Sequence, residues 1–137
     1  MDFNAQQMRA DALIQEGRYK FVVKDAREKR SATGNDMLNL KLGLKIGDRE
    51  VTQWSSLILI PKMFWKFEHF CKAVGLTDKM EAGRVMAQDC LGREGEVEIV
   101  QKTDNLTGEL SNEVKDYIFE AQPEEPPVSL NDDLPNF

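Results

Sequence analysis

The stretch "MLNLKLGLKI" restricts the fold of this chain more than any other ten residues. Leu38, Leu40, Leu42, Leu44 and Ile46 alternate with Met37, Asn39, Lys41, Gly43 and Lys45. Successive side chains of a strand point to opposite faces, so period two puts the aliphatic set on one side. The reading is a strand with its leucines buried and Asn39, Lys41, Gly43 and Lys45 turned outward.

The flanks extend this strand into a sheet. "RYKFVVKDAREK" is rich in aromatic and β-branched residues and reads as a strand before it. "RSATGND" is a turn cluster, so the two form a hairpin. Gly47-Asp48 makes the next turn, and "EVTQWSSLILI" reads as a third strand carrying Trp54. Pro61 ends that strand and suits the start of a helix. In "KMFWKFEHFCKAVG", Met63, Phe64, Phe67, Phe70, Cys71 and Val74 trace one helical face, and Gly75 suits the C-cap. "TDKMEAGRV" suggests a short second helix with Asp78 as N-cap and Glu81 three residues on. "GEVEIV" reads as a fourth strand, "QKTDNLTGELSN" as a polar loop and "EVKDYIF" as a fifth strand.

The order is three strands, a helix, then two strands. It predicts a mainly β fold, an OB-fold-like five-stranded barrel with a helix between strands three and four. A small α+β sheet with a helix on one face is the other arrangement the pattern admits. The expected division is an N-terminal arm over 1–16, the barrel over 17–119 and a disordered acidic C-terminal tail over 120–137. The tail, "EAQPEEPPVSLNDDLPNF", holds four prolines and five acids, too few core residues to offset the entropy of folding.

Charge follows the same division. The net charge is -6, but five of the 24 acids lie beyond residue 119 with no base among them. The preceding residues therefore hold 19 acids against 18 bases, and the acidic balance belongs to the tail. Within the body, Arg18 to Arg30 carries six bases and two acids, a local excess suited to a basic surface. No apolar run approaches the roughly 20 residues that cross a bilayer, and the N-terminus lacks the pattern of a signal peptide. A cytoplasmic protein with no membrane partner is the expectation. Cys71 and Cys90 stand among apolar residues outside any CxxC pair and read as buried free thiols.

These features suggest a surface for single-stranded nucleic acid. Single-strand binders combine a basic track for the backbone with aromatic rings on which bases stack. The track would comprise Lys20, Lys24, Arg27, Lys29, Arg30, Asn39, Lys41 and Lys45, and the stacking rings Trp54 and Tyr19. Alternation gives Tyr19, Phe21 and Val23 one face of the first strand, so that set also reads as core. Trp65, His69 and Lys72 fall off the apolar face of the helix, as a second contact stripe or as cover for a barrel end. Asp104 with Glu113 and Lys115 matches the D…ExK spacing of metal-dependent nucleases, a short pattern that chance supplies in a chain with 31% charged residues. One histidine and no cysteine cluster argue against a zinc site. No catalytic residue, metal or cofactor is expected.

The tail has a second feature. Leu134, Pro135 and Phe137 present apolar groups beside Asp132 and Asp133, in the manner of a peptide ligand whose ring fills a pocket while its carboxylates meet bases. The same acids could visit the basic surface of the body and compete there with DNA. "DDLPNF" resembles the C-terminal tip of bacterial single-stranded DNA-binding proteins, with Asn136 as a departure between Pro135 and Phe137. The body, over "GRYKFVVKDAREKRSATGNDMLNLKLGL", "KMFWKFEHFCKAVGLTDKMEAG" and "DCLGREGEVEIV", resembles the phage family called domain of unknown function 669. The resemblance implies a role among phage replication and recombination proteins, in the host cytoplasm. The combined expectation is a single-stranded DNA-binding protein without sequence preference, whose tail recruits replication or recombination proteins. Self-association is left open. The contrasting expectation is a protein-interaction module that docks on a replication or host protein and never touches DNA.

Overall fold

A computed structural model describes residues 1–119. The alternating leucines form the inner face of β2 (Asp36–Ile46), where Leu38, Leu40, Leu42 and Leu44 are buried. On either side stand β1 (Gly17–Arg30) and β3 (Arg49–Ile58), with β4 (Glu94–Thr103) and β5 (Leu110–Ile118) completing the sheet. All neighbours are antiparallel, in the order β3-β2-β1-β4-β5. No ladder joins the outermost strands β3 and β5 among the described residues, so the sheet is open.

The long first strand serves two neighbours. Gly17 to Val22 pair with β4, and Phe21 to Arg30 pair with β2. Between them the register slips at Lys24, where Val23 faces Leu42 and Asp25 faces Lys41. One extra residue in a strand bends it and raises its twist. It also changes parity. Phe21 and Val23 point inward before the bulge, and Ala26 packs against the core after it.

A short N-terminal helix, α1 (Ala5–Asp11), precedes the sheet, and three more lie between β3 and β4: α2 (Phe64–Val74), α3 (Thr77–Glu81) and α4 (Ala87–Cys90). Pro61 opens a 3₁₀ turn ahead of α2. Gly75 ends α2 at φ 80°, a left-handed conformation that costs glycine least, and donates its N–H to the Cys71 carbonyl. Phe67, Phe70, Cys71 and Val74 are the buried face of α2. Four details depart from the sequence reading. Asp78 lies within the first turn of α3 and Leu76 takes the N-cap position. The helix α4 lacked a legible signal. The strands β4 and β5 extend three residues each into the stretch read as loop, leaving 104–109 between them. Phe64, assigned to the buried helical face, is 41% exposed.

The core gathers at Tyr117 of β5. It is fully buried, with Phe21 and Phe70 edge-on at 5.7 and 5.1 Å between ring centroids. Its hydroxyl donates to Ser55 Oγ of β3 at 2.8 Å. Burial raises the phenol's pKa well above its usual value, so this donor stays protonated. Nearby, Gln53 Nε2 donates to the Asn112 carbonyl at 3.3 Å, again from β3 to β5. Asn112 also pins the N-terminal arm: it accepts from Ile14 N–H at 2.8 Å and donates to the Ile14 carbonyl at 2.9 Å. Both cysteines are free and fully buried, and desolvation pushes the Cys71 thiol up to about 12 and the Cys90 thiol up to about 11.

The Tyr117–Ser55 pair makes a testable claim about stability. Tyr117→Phe should cost about 1–3 kcal/mol, because a buried serine loses its donor. Tyr117→Ala should cost about 3–5 kcal/mol through the cavity it leaves. The Tyr117→Phe/Ser55→Ala double variant should lose less than the two single variants together, since neither polar group is then stranded. Urea unfolding midpoints of the parent and the four variants measure this, and strict additivity of Tyr117→Phe and Ser55→Ala would show that the hydrogen bond is not a coupling between the strands.

Candidate nucleic-acid interface

The outer face of β1, β2 and β3 collects most of the basic residues singled out in the sequence. Register fixes their rows. Arg27, Asn39 and Ser56 lie side by side across the three strands, and Asp25, Lys41 and Trp54 form the next row. Trp54 is 62% exposed, and its ring has the Lys41 ammonium 5.9 Å from its centroid. That distance is within the range of a cation–π contact. Ser56 donates to Asn39 Oδ1 at 2.8 Å, which ties the amide to β3.

The cations singled out in the sequence fall into two groups. Lys24 pairs with Glu50 at 3.2 Å, Arg27 with Asp25 at 3.1 Å and Arg30 with Asp36 at 3.8 Å. Lys20, Lys29, Lys41 and Lys45 have no ion pair among the described residues. Glu50 reaches Lys24 by lying across Gly43, where a Cβ would come within 2.7 Å of its carboxylate. Glycine at this position therefore gives the acid a path over the strand. Asp25 is held below the usual carboxylate range, first by the Arg27 guanidinium, then by the Ala26 N–H, with Lys41 adding a smaller pull.

Three predicted residues stand elsewhere. Tyr19 lies on the core side of β1, partly buried, with its hydroxyl donating to the Gln15 carbonyl at 2.6 Å. It does not share the Trp54 face. Lys20 pairs in register with Glu96 at the β4 side. Arg30 sits at the hairpin tip and donates to the Gly34 carbonyl. The second stripe is a packed cluster: Trp65 meets His69 edge-on, His69 Nδ1 is 2.8 Å from Asp116 Oδ1, and Lys72 covers the Phe119 ring. The nuclease-like residues are separately engaged. Asp104 accepts from Leu106 and Thr107 N–H in its turn, Glu113 pairs with Lys102 and Lys115 with Glu98. No group of three metal-ligating side chains occurs among the described residues. No helix among them is long and apolar enough to cross a membrane.

Two features escaped the sequence reading. Asp25 and Glu50 are counter-charges inside the basic face. Glu94, Glu96 and Glu98 form an acidic row on β4, facing Val22, Lys20 and Arg18 of β1. The alternation in "EGEVEIV" was the available signal for that row.

The family comparison decides one point. The chain belongs to the family described as Protein of unknown function (DUF669). Its model matches residues 1–127, which covers every described strand and helix. Membership agrees with the resemblance drawn from the three body stretches. No curated protein matches the chain. The tail residues Asp132, Asp133, Leu134, Pro135 and Phe137 lie outside the described residues.

The Asp25–Arg27 pair supplies a pH test. A carboxylate with a lowered folded pKa adds stability above its unfolded pKa and loses it as pH falls through the folded one. The Asp25 side chain is 40% exposed and its partner Arg27 more so, and solvent screening keeps that gain small. Its titration is the better readout. Arg27→Ala should move the Asp25 midpoint up toward the ordinary 3.8, followed by carboxyl-carbon NMR shifts. An unmoved midpoint would show that the Ala26 N–H and Lys41, and not Arg27, hold it down.

Proposed function

We propose that this protein binds single-stranded DNA without sequence preference, as a phage-type factor of replication or recombination. In this reading the fold is an OB-like barrel, with β3 and β5 drawn together at the seam and α2 inserted between β3 and β4. The tail carries a peptide ligand, at Asp132, Asp133, Leu134, Pro135 and Phe137, for replication or recombination proteins.

The observation that carries the reading is Trp54, an exposed indole in the middle of a face lined by Lys41, Arg27, Asn39, Lys45 and Lys29. A buried tryptophan would serve packing. An exposed one beside unpaired lysines offers a base a stacking partner worth about 1–3 kcal/mol. Phosphates would be held by Lys29, Lys41 and Lys45, with Lys24 and Arg27 released from Glu50 and Asp25 as the strand arrives. The acidic row of β4 would keep the phosphate path off that side, and Lys20 would mark its margin. Duplex DNA should bind much more weakly, because its bases are not free to stack. The reading requires no catalysis and no cofactor.

A gel shift with labelled oligo-dT, with and without magnesium, tests the proposal. Retarded mobility without cleavage supports it. No shift at low salt would favour a protein-interaction module, and cleavage only with magnesium would favour a nuclease. Log affinity should fall linearly with log salt, by about 0.7 per phosphate neutralised. Trp54→Ala should cost about 1–3 kcal/mol of binding at an unchanged salt slope. Lys41→Ala should reduce the slope itself. Because Trp54 is exposed, its replacement should leave the urea midpoint nearly unchanged, which separates lost stacking from lost folding.

A further inference from the structure

A groove of about 330 Å³ opens beside the basic face, between the β1–β2 hairpin and the helices. Its size lies at the lower end of the roughly 300–1,000 Å³ typical of ligand pockets. Leu38, Phe67 and Met80 are its buried floor, and Phe64 and Leu59 are its exposed apolar walls. Exposed aromatic and aliphatic side chains around a buried apolar floor favour an apolar occupant.

The rim adds charge. It carries Glu28, Asp36, Lys29 and Arg84. The acids are engaged: Glu28 accepts from the Ala87 N–H at 2.8 Å, and Asp36 pairs with Arg30 at 3.8 Å. Lys29 and Arg84 have no ion pair among the described residues. The groove thus presents an apolar floor and two uncommitted cations, the complement of an acidic segment followed by apolar side chains.

We propose that this groove holds the chain's own segment Asp132 to Phe137. Asp132 and Asp133 meet Lys29 and Arg84, while Leu134 and Phe137 cover the floor at Phe67 and Met80. The reach suffices. The last described residue, Phe119, packs on His69 of α2 with 5.1 Å between ring centroids. Phe64 lies five residues earlier on that helix, about 8 Å along its axis. The 12 residues from 120 to 131 span up to about 40 Å. Tethering at this length gives a local concentration of about millimolar, enough for a weak contact to be occupied. The segment is then stored on the body until a competing partner draws it out. The inference rests on the groove and the tail sequence, and holds whether or not the Trp54 face binds DNA.

The test uses the full chain with Ser129→Cys carrying a nitroxide label. Cys71 and Cys90 are fully buried, so the label goes to the introduced thiol. Methyl signals of Met80, Leu59 and Val85 should broaden several-fold more than that of Thr52 on the Trp54 face. The effect should persist on dilution, fall away with Phe137→Ala and weaken in the Lys29→Glu/Arg84→Glu variant and at high salt. Equal or absent broadening at the groove methyls would overturn the proposal. Stronger broadening at Thr52 would overturn it in favour of a tail that lies on the basic face. Broadening that transfers to unlabelled copies and disappears on dilution would make the contact one between molecules, and would overturn the intramolecular claim.

Discussion

The hydrogen bond from the Tyr117 hydroxyl to Ser55 joins two strands that no backbone ladder joins. Each neighbouring pair in the sheet is tied by a row of main-chain bonds, but β3 and β5 are joined by hydrogen bonds that start from side chains, Tyr117 to Ser55 and Gln53 to the Asn112 carbonyl. Phe21 and Phe70 pack edge-on against the Tyr117 ring, and from that position its hydroxyl reaches Ser55. The bond is buried, where leaving either group unpaired is costly. Its consequence reaches the outer surface. Ser55 points inward and Trp54, the preceding residue, points outward, so fixing Ser55 at the seam also fixes how the indole is presented.

The bulge at Lys24 has a comparable effect on charge. With strict alternation from Phe21 and Val23, Arg27 and Lys29 would fall on the core face and Ala26 outside. The extra residue reverses that order. Ala26 pairs with Leu40 and packs inward, and Arg27 stands beside Asn39 in the outer row. The basic residues of the first strand thus share a face with Lys41 and Lys45 only because the strand slips by one. The bend also lets β1 leave β4 and follow β2, so one irregularity shapes both the curvature of the sheet and the pattern of its charge.

The strands were legible because their signals are local. Alternation in β2, the turn residues around Gly34 and Gly47, and the apolar face of α2 each need only a few neighbouring residues. Buried free cysteines followed from their apolar surroundings, and the exposed position of Trp54 was open to inference from its alternation with Ser55. What stayed hidden depends on distant partners. Nothing near Tyr19 in sequence shows that its hydroxyl binds the Gln15 carbonyl on the core side of the strand. Glu50 neutralises Lys24 only because Gly43, on another strand, leaves room for its side chain. The β1 bulge has no sequence signature here, so the faces of Arg27 and Lys29 were assigned by type of residue and not by parity. Phe64 fits the helical period of the buried set but is the first residue of α2 and stays 41% exposed.

The outer surface is consequently divided by β1. On one side β2 and β3 present lysines and an indole, and on the other β4 presents Glu94, Glu96 and Glu98. Lys20 and Arg18 stand on the line between them, in register with Glu96 and Glu98. In the proposed reading, a polyanion approaching this surface would be attracted to one half and repelled by the other, which would orient it along the strands before close contact. At the hairpin end of the favourable half, Lys29 belongs both to the basic face and to the rim of the apolar groove. An acidic ligand in the groove and a phosphate at the end of the basic face would therefore draw on the same ammonium group. The two surfaces have separate apolar parts, Trp54 in one and Phe64 with Met80 in the other, but they are joined through that shared charge.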